Sequence, residues 1–370
     1  MLQHGLRRAA QVGAGLLVGS FLIGYAAPFV PPAAFWWTNL FAVILPLLSV
    51  GVGLVALGLG VLGLVRRRWL YGVTAVVLMS LVGSRFGPSL GLERPSSSGP
   101  ALRLMSFNVP GVHTEEGAPK ALARILDRER PMVLALQESQ VRTPASPDRP
   151  LSMSRSLRTV LQRDSTYRLP RSLPRRTIIQ QPVLGRIRLD SLRVHPLPPD
   201  GATSARSRFT QTHFRWAGRR VVLFNLHLHT VGQRRPWAEP GAWADLSRWW
   251  SFLQTYRAGA LHRAEQARRV RQAIEQTREP VLVTGDFNST PHQWAYRHIA
   301  AGLQDAVAEH GGRWTATFPA HTPLVRIDHV LAGPAWRVVS AHVPPLAEHA
   351  AASDHRPVVA QLQWRTTPAE

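Results

Sequence analysis

The first 85 residues of this chain carry almost no charge, and this constrains the fold more than any later stretch. Arg7, Arg8, Arg66, Arg67, Arg68 and Arg85 are the only charged side chains among them. Residues 12–30 form an uncharged run long enough to cross a hydrocarbon core of ~30 Å. Residues 34–65 form a second, opening on Ala34-Phe35-Trp36-Trp37, aromatic residues suited to a membrane–water interface. Residues 69–84 form a third, short but sufficient if its ends are stretched. The reading is a membrane anchor over residues 1–85, with about three transmembrane helices at 12–30, 36–64 and 69–84. The glycines and prolines inside these runs are tolerated in lipid.

The arginines set the expected orientation. Arg7 and Arg8 precede the first run, and Arg66 to Arg68 separate the second from the third. Basic clusters stay on the cytoplasmic side, so three crossings put the N-terminus inside and the chain after residue 85 outside. The expected localisation is therefore a multi-pass membrane protein with an extracytoplasmic C-terminal domain. A cleaved signal peptide ending near Ala26-Ala27 is the competing reading of the first run, but two further apolar runs favour an anchor. A transporter is disfavoured, since the runs hold no charge to line a pathway. Residues 86–100, ending in a Pro-, Ser- and Gly-rich stretch, read as a linker.

Beyond the linker the pattern changes to short apolar segments separated by amphipathic ones. Strands are expected at 101–109, 131–137, 209–216, 220–229, 280–284, 326–331 and 357–363, with residues 177–188 strand-like. Helices are expected at 119–130, 152–162 and 261–277. Ala217-Gly218 between two strand patterns predicts a hairpin. Residues 232–259, rich in Trp and Pro, look like an insertion loop, with Trp237, Trp243, Trp249 and Trp250 expected to pack on the domain. The fold expected for residues 101–370 is α/β: two packed mixed sheets flanked by helices. There is no cysteine, which excludes disulfides, thiolate metal sites and cysteine nucleophiles. All but six units of the +22 net charge lie beyond residue 100, so the domain should attract polyanions such as nucleic acid or anionic lipid.

Polar residues recur where the expected strands end. Asn108 closes the first and Glu138 the second; His227 and His229 close the strand VVLFNLHLH; Asp286 and Asn288 follow PVLVTG. Asp328 sits within RIDHVLA, while Asp354 and His355 precede the last strand. Strand ends at one rim are where α/β proteins build sites. Taken singly, each has an ordinary explanation: Asp and Asn shape turns, and a strand histidine is usually structural.

Taken together, and in this order, the segments Ser106-Phe107-Asn108, Leu136-Gln137-Glu138, Asn225-Leu226-His227-Leu228, Gly285-Asp286-Phe287-Asn288, Arg326-Ile327-Asp328 and Ser353-Asp354-His355-Arg356-Pro357 resemble the endonuclease/exonuclease/phosphatase superfamily, the deoxyribonuclease I-like proteins. The resemblance covers about residues 101–365. It implies a four-layer sandwich of two mixed β-sheets flanked by helices, and a hydrolase of phosphate esters that uses Mg²⁺ or Mn²⁺. It casts Glu138 as the main metal ligand, completed by Asn108 and, through water, Asp354. Asp286 would orient or deprotonate the attacking water, and Asn288 would hold a phosphate oxygen. His355 would donate to the phosphoryl oxygen with Asp328 fixing its tautomer, and His227 would contact the phosphate or leaving group. His229 falls on no motif position and reads as structural.

Some positions depart from the family pattern. Pro110 stands where apurinic-site enzymes carry an aspartate, which weakens the case for a second metal or for that specificity. Leu226 replaces a commoner threonine, and the strand ending in Ser-Arg survives loosely as Val183-Leu184-Gly185-Arg186. The leading expectation is a membrane-anchored, extracytoplasmic, nuclease-like phosphoesterase. The alternatives are a phospholipid- or phosphoinositide-directed enzyme, and a catalytically inactive tethered binding module.

Overall fold

The computed structural model describes residues 2–87, 99–110, 118–146, 149–197, 208–230, 244–310, 312–345 and 352–365. It divides into two compact units, one built on the N-terminal helices and one on the sheets.

The first unit holds α1 (Leu2–Ala26), α2 (Pro32–Phe35), α3 (Thr38–Val43), α4 (Leu45–Arg66) and α5 (Trp69–Phe86). Its interior is small: Phe21, Leu45, Val52, Ala56, Leu78 and Phe86. Outward, Leu47, Leu54 and Leu64 of α4 and Val76 of α5 are exposed, apolar side chains where a water-facing helix carries polar ones. Three helices, His4–Phe29, Leu45–Arg66 and Trp69–Phe86, are long and apolar enough to cross a membrane. The second differs from the expected single run at 36–64. Pro46 has no amide hydrogen, and its ring clashes with the carbonyl four residues back, so the chain breaks at Ile44 between α3 and α4. After α4, Arg67 adopts a left-handed conformation (φ 48°) and the chain turns straight into α5.

The second unit begins with β1 (Leu102–Asn108), α6 (Ala118–Glu129), β2 (Val133–Gln137), β3 (Val141–Arg142), β4 (Ser152–Met153), α7 (Arg155–Arg163), β5 (Ile178–Ile179), β6 (Val183–Gly185) and β7 (Leu189–Pro196). It continues with β8 (Arg208–Trp216), β9 (Arg219–His227), α8 (Leu246–Glu275), β10 (Val281–Asp286), α9 (Trp294–Ala300, of which residues 294–297 group with the first unit), β11 (Gln304–Asp305), α10 (Ala306–Glu309), β12 (Asp328–Ala332), β13 (Trp336–His342) and β14 (Val358–Trp364). One sheet runs β13-β14-β1-β2-β6, the other β11-β12-β10-β9-β8-β7, and a three-stranded ribbon runs β4-β3-β5. β1 is parallel to β2 and β9 to β10, while the neighbours β14 and β12 run antiparallel to them.

Period-two alternation in β1 and β2 explains the layering. Leu102, Leu104, Val133 and Ala135 join the core between the sheets, with Leu223, Leu282, Val330 and Trp336. Met105, Phe107, Leu134 and Leu136 point the other way, onto Leu122 and Ile125 of α6 and Leu157 and Val160 of α7. A strand buried on both faces carries apolar residues at both parities, as Leu102, Leu104, Met105 and Phe107 of β1 do. The inward register continues to Gln137, whose amide donates across the sandwich to Asn225 Oδ1 at 2.6 Å. Asn225 in turn donates to the Leu136 carbonyl at 2.9 Å. The hairpin expected at Ala217-Gly218 joins β8 to β9, with both turn residues at positive φ (46° and 81°), the geometry that matches strand twist.

Two expectations need correction. Residues 246–259 are not loop: α8 starts at Leu246, fifteen residues earlier than the helix expected at 261, and Asp245 caps it by accepting from the amides of Ser247 and Arg248. Trp237 and Trp243 lie outside the described residues, but Trp250 is exposed rather than packed. The single strand-like stretch at 177–188 is two short strands, β5 and β6, in different sheets.

Candidate active site

Strand polarity gathers the candidate residues. β1, β2, β9 and β10 end at one rim, where β12 and β14 begin, so Asn108, Glu138, His227, Asp286, Asp328 and His355 share it. Asp286 and Asp328 are direct cross-strand partners. The two sheets meet there: Asn108 Nδ2 donates to Asp286 Oδ2 at 3.1 Å and to Glu138 Oε1 at 3.2 Å.

The backbone is bent to make this possible. Glu138 has φ 58° and Asn288 φ 45°, left-handed conformations that persist in non-glycine residues only when the surroundings enforce them. Gly285 has φ 132°, and a Cβ there would sit 2.0 Å from the Leu226 carbonyl oxygen. Only glycine lets β10 approach β9 closely enough to bring Asp286 beside His227. The Asn288 amide N–H donates to Asp286 Oδ1 at 2.8 Å, and its side chain donates to the Leu228 carbonyl at 3.0 Å. Asn288 thus braces the Asp286 carboxylate.

The electrostatics separate the groups into roles. His355 Nδ1 donates to both oxygens of Asp328, at 3.0 and 3.2 Å, and its Nε2 stands 3.8 Å from Asp286 Oδ2. Burial alone would push His355 down, but the charges of Asp328 and Asp286 outweigh it and raise it to about 10. The ring is therefore a cation at neutral pH, with Nε2 as a proton donor. Asp286 is raised above the usual carboxylate range by burial, with Asp328 adding to the effect while His355 and His227 oppose it. That makes it a stronger base than an exposed aspartate. His227 Nε2 lies 3.7 Å from Asp286 Oδ2 and 3.8 Å from Glu138 Oε1.

Two arrangements are open to a metal ion. Ligand-type atoms of Asp286, Asp328 and His355 lie within 4.8 Å of one another, but both Asp328 oxygens are already engaged by His355 Nδ1. The pair Glu138 and Asn108 fits better. Glu138 keeps an exposed carboxylate, and Asn108 Oδ1 is buried with no hydrogen-bond partner. Hard divalent cations take carboxylate and amide oxygens. Asp354 is exposed; its backbone carbonyl accepts from Ala320 at 2.7 Å, and its carboxylate acts on His355 through its charge without joining the bonded cluster.

Supporting residues escaped the sequence reading. Ser353 Oγ donates to the Asn108 carbonyl at 2.6 Å and accepts from the His355 amide at 3.0 Å, tying the last segment to the first. Thr317 Oγ1 accepts from the amides of Ile327 and Asp328 at 3.1 and 3.2 Å, so it holds the start of β12. On α8, Gln266 accepts from the His229 amide at 2.8 Å and Arg263 donates to the His229 carbonyl at 3.0 Å. Burial lowers His229 to about 4, so it is neutral, in keeping with a structural part. Of these, only Ser353 carried a sequence signal, as a hydroxyl two residues before a turn histidine.

A cationic imidazole, two carboxylates beside it, and a carboxylate–amide pair at the rim of a two-sheet sandwich make a site suited to an anionic ester. A model of the endonuclease/exonuclease/phosphatase family matches residues 105–355, and the chain belongs to that family. The uncharacterized protein YbhP of Escherichia coli (strain K12) is 35% identical over 88 residues, 23% of this chain and 33% of YbhP. The chain thus spans about a third of the length of the curated relatives it matches. Among solved structures, the mannosyl-6-phosphatase of Bacteroides thetaiotaomicron superposes with TM-score 0.50 at 15% identity, over 71% of this chain and 100% of that one. The endonuclease/exonuclease/phosphatase from Bacteroides vulgatus gives 0.49 at 16%, over 72% and 100%. At these identities the likeness concerns the fold.

Proposed function

We propose that this chain is a membrane-anchored phosphoesterase, dependent on a divalent cation, whose catalytic domain lies on the extracytoplasmic side. The observation that carries the reading is the buried Asp328–His355–Asp286 array beside the Asn108–Glu138 pair. Glu138 and Asn108 would hold the cation, Mg²⁺ or Mn²⁺, which when bound supplies charge neutralisation at the phosphoryl oxygens.

The chain's own residues do the rest. Asp286 accepts a proton from the attacking water and, held by the Asn288 amide, keeps its orientation. The His355 Nε2–H donates to a phosphoryl oxygen as negative charge develops, with Asp328 fixing the ring. His227 faces the same point from β9 and contacts the phosphate or leaving group. Asn288, bonded through its side chain to Leu228 and Asp286, keeps the Asp286 carboxylate in place. The surplus of arginine beyond residue 100 favours a polyanionic substrate, nucleic acid first and anionic phospholipid second. The anchor is supported by the three apolar helices, and its orientation by the arginines at their ends.

Purified full-length protein is assayed on DNA, RNA, phosphoinositides and sphingomyelin with Mg²⁺, Mn²⁺ or EDTA. Metal-dependent hydrolysis of one class is expected, lost in Asp286→Ala and His355→Ala. Folded protein that neither binds metal nor hydrolyses any of these would contradict the reading and leave a tethered binding module.

A further inference from the structure

The start of α8 has an apolar surface that the domain does not cover. From Tyr256 onward α8 buries one side: Tyr256, Ala260, Ala264, Ala267, Val270 and Ile274. Two apolar residues in its first turns, before that buried side begins, are left uncovered. Leu246 is 82% exposed and Trp250 65% exposed. At about 100° per residue, Leu246, Trp250 and the half-buried Leu253 share one stripe, flanking the buried side. Farther along the same stripe comes the exposed Arg257. The exposure is not fraying, because Asp245 caps the helix through the Ser247 and Arg248 amides.

A lone exposed leucine needs no explanation, but a tryptophan and a leucine one turn apart, followed by arginine, have the composition of an interfacial helix. Tryptophan and leucine suit the boundary between head groups and acyl chains, and arginine suits lipid phosphates. We propose that the first three turns of α8 lie in the head-group region of an anionic phospholipid bilayer, with Leu246, Trp250 and Leu253 toward the acyl chains and Arg257 on the phosphates. This rests on the membrane-anchoring reading, since the three apolar helices of the same chain are what bring a bilayer within reach. The net positive charge of the domain provides the complementary attraction. The catalytic reading does not enter.

The chain has no cysteine, so single cysteines can be introduced and spin-labelled without background. Full-length Leu246→Cys and Trp250→Cys report on the stripe. Thr255→Cys, exposed on another side of the helix, reports on the aqueous face, and Val77→Cys in α5 reports on the anchor. Each is reconstituted in nanodiscs containing phosphatidylglycerol and tested for collision with oxygen and with a water-soluble nickel chelate. The expected result is oxygen-accessible, nickel-protected labels at 246, 250 and 77, with a nickel-accessible label at 255. Nickel access at 246 and 250 with protection at 77 would overturn the docking and leave the anchor standing. Nickel access at 77 as well would overturn both. Protection of 246 and 250 from both reagents would mean that protein, such as a second copy, covers the stripe, and would also overturn it.

Discussion

The N-terminal helices and the sheet sandwich have similar apolar residues but distribute them in opposite ways. In the helices the large side chains of Leu47, Leu54 and Leu64 point outward, and polar groups such as Ser49 and Thr74 bond back to carbonyls of their own helix. In the sandwich, Leu102, Leu104 and Phe107 are wholly buried, and polar groups are paired across the core, as Gln137 is with Asn225. One unit turns its large apolar side chains outward; the other excludes water from its centre and holds charged groups at a rim, where low dielectric strengthens their interactions.

The largest expected effects belong to the rim. Asp286→Asn and His355→Ala should each lower hydrolysis by about 10²–10⁴-fold while circular dichroism shows a retained fold. Equivalent single changes on the outward faces of α1, α4 and α5 should leave turnover of a soluble substrate within about twofold, and a large loss there would erase the functional division between the units.

The next contrast is leucine against leucine. Leu104→Ala opens a cavity between the sheets and should cost about 2–5 kcal/mol in denaturant unfolding of the sandwich. Leu54→Ala, on an outward face, should cost well under that in the same assay. Replacing Leu54 with arginine sharpens the point: it should disfavour membrane insertion by about 3 kcal/mol, read as less protein resisting alkaline extraction from membranes. A well-folded Leu54→Arg chain with unchanged membrane retention would show that α4 does not face lipid.

The smallest effect is a slope with pH. His355 and His329 are both buried, but their shifts are opposite. His329, between Arg326 and the Ser289 carbonyl, is pushed down to about 3, by burial first and Arg326 second. Folding thus favours its neutral form, a contribution present above about pH 6.5 and lost as pH falls from there toward 3. His355, raised to about 10, favours its charged form; that contribution is present below about pH 6.5 and lost as pH rises toward 10. In EDTA, His355→Gln should flatten the alkaline side of the stability–pH curve and His329→Gln the acid side. Unchanged slopes would mean that these environments are wrong.

Much of this was legible in the sequence, for identifiable reasons. Asn108, Glu138, His227, Asp286, Asp328 and His355 stand where apolar strand patterns stop, and strand polarity then brings them together without help from distant loops. What escaped had weak periodicity. β7 is a sheet edge with few buried positions. β13 shifts register between Val338 and Ser340, which breaks its alternation. The break before α4 depends on Pro46, which hydropathy does not register. The first turns of α8 were obscured because their apolar stripe lies beside the buried one, although Asp245 followed by Ser247 was a readable cap. Asp354 shares a segment with His355, and the turn leaves it exposed.

The central claim is that the rim array acts on a phosphate ester with a divalent cation held by Glu138 and Asn108. The most direct test is hydrolysis of the phosphate-ester panel by the full-length chain, titrated with Mg²⁺ or Mn²⁺, comparing wild type with Glu138→Gln and Asp286→Asn. The account requires a metal-dependent activity whose half-saturating metal concentration rises at least tenfold in Glu138→Gln, and which stays about 10²–10⁴-fold lower at every metal concentration in Asp286→Asn. Metal-independent hydrolysis, or a Glu138→Gln protein with an unaltered metal titration, would contradict it.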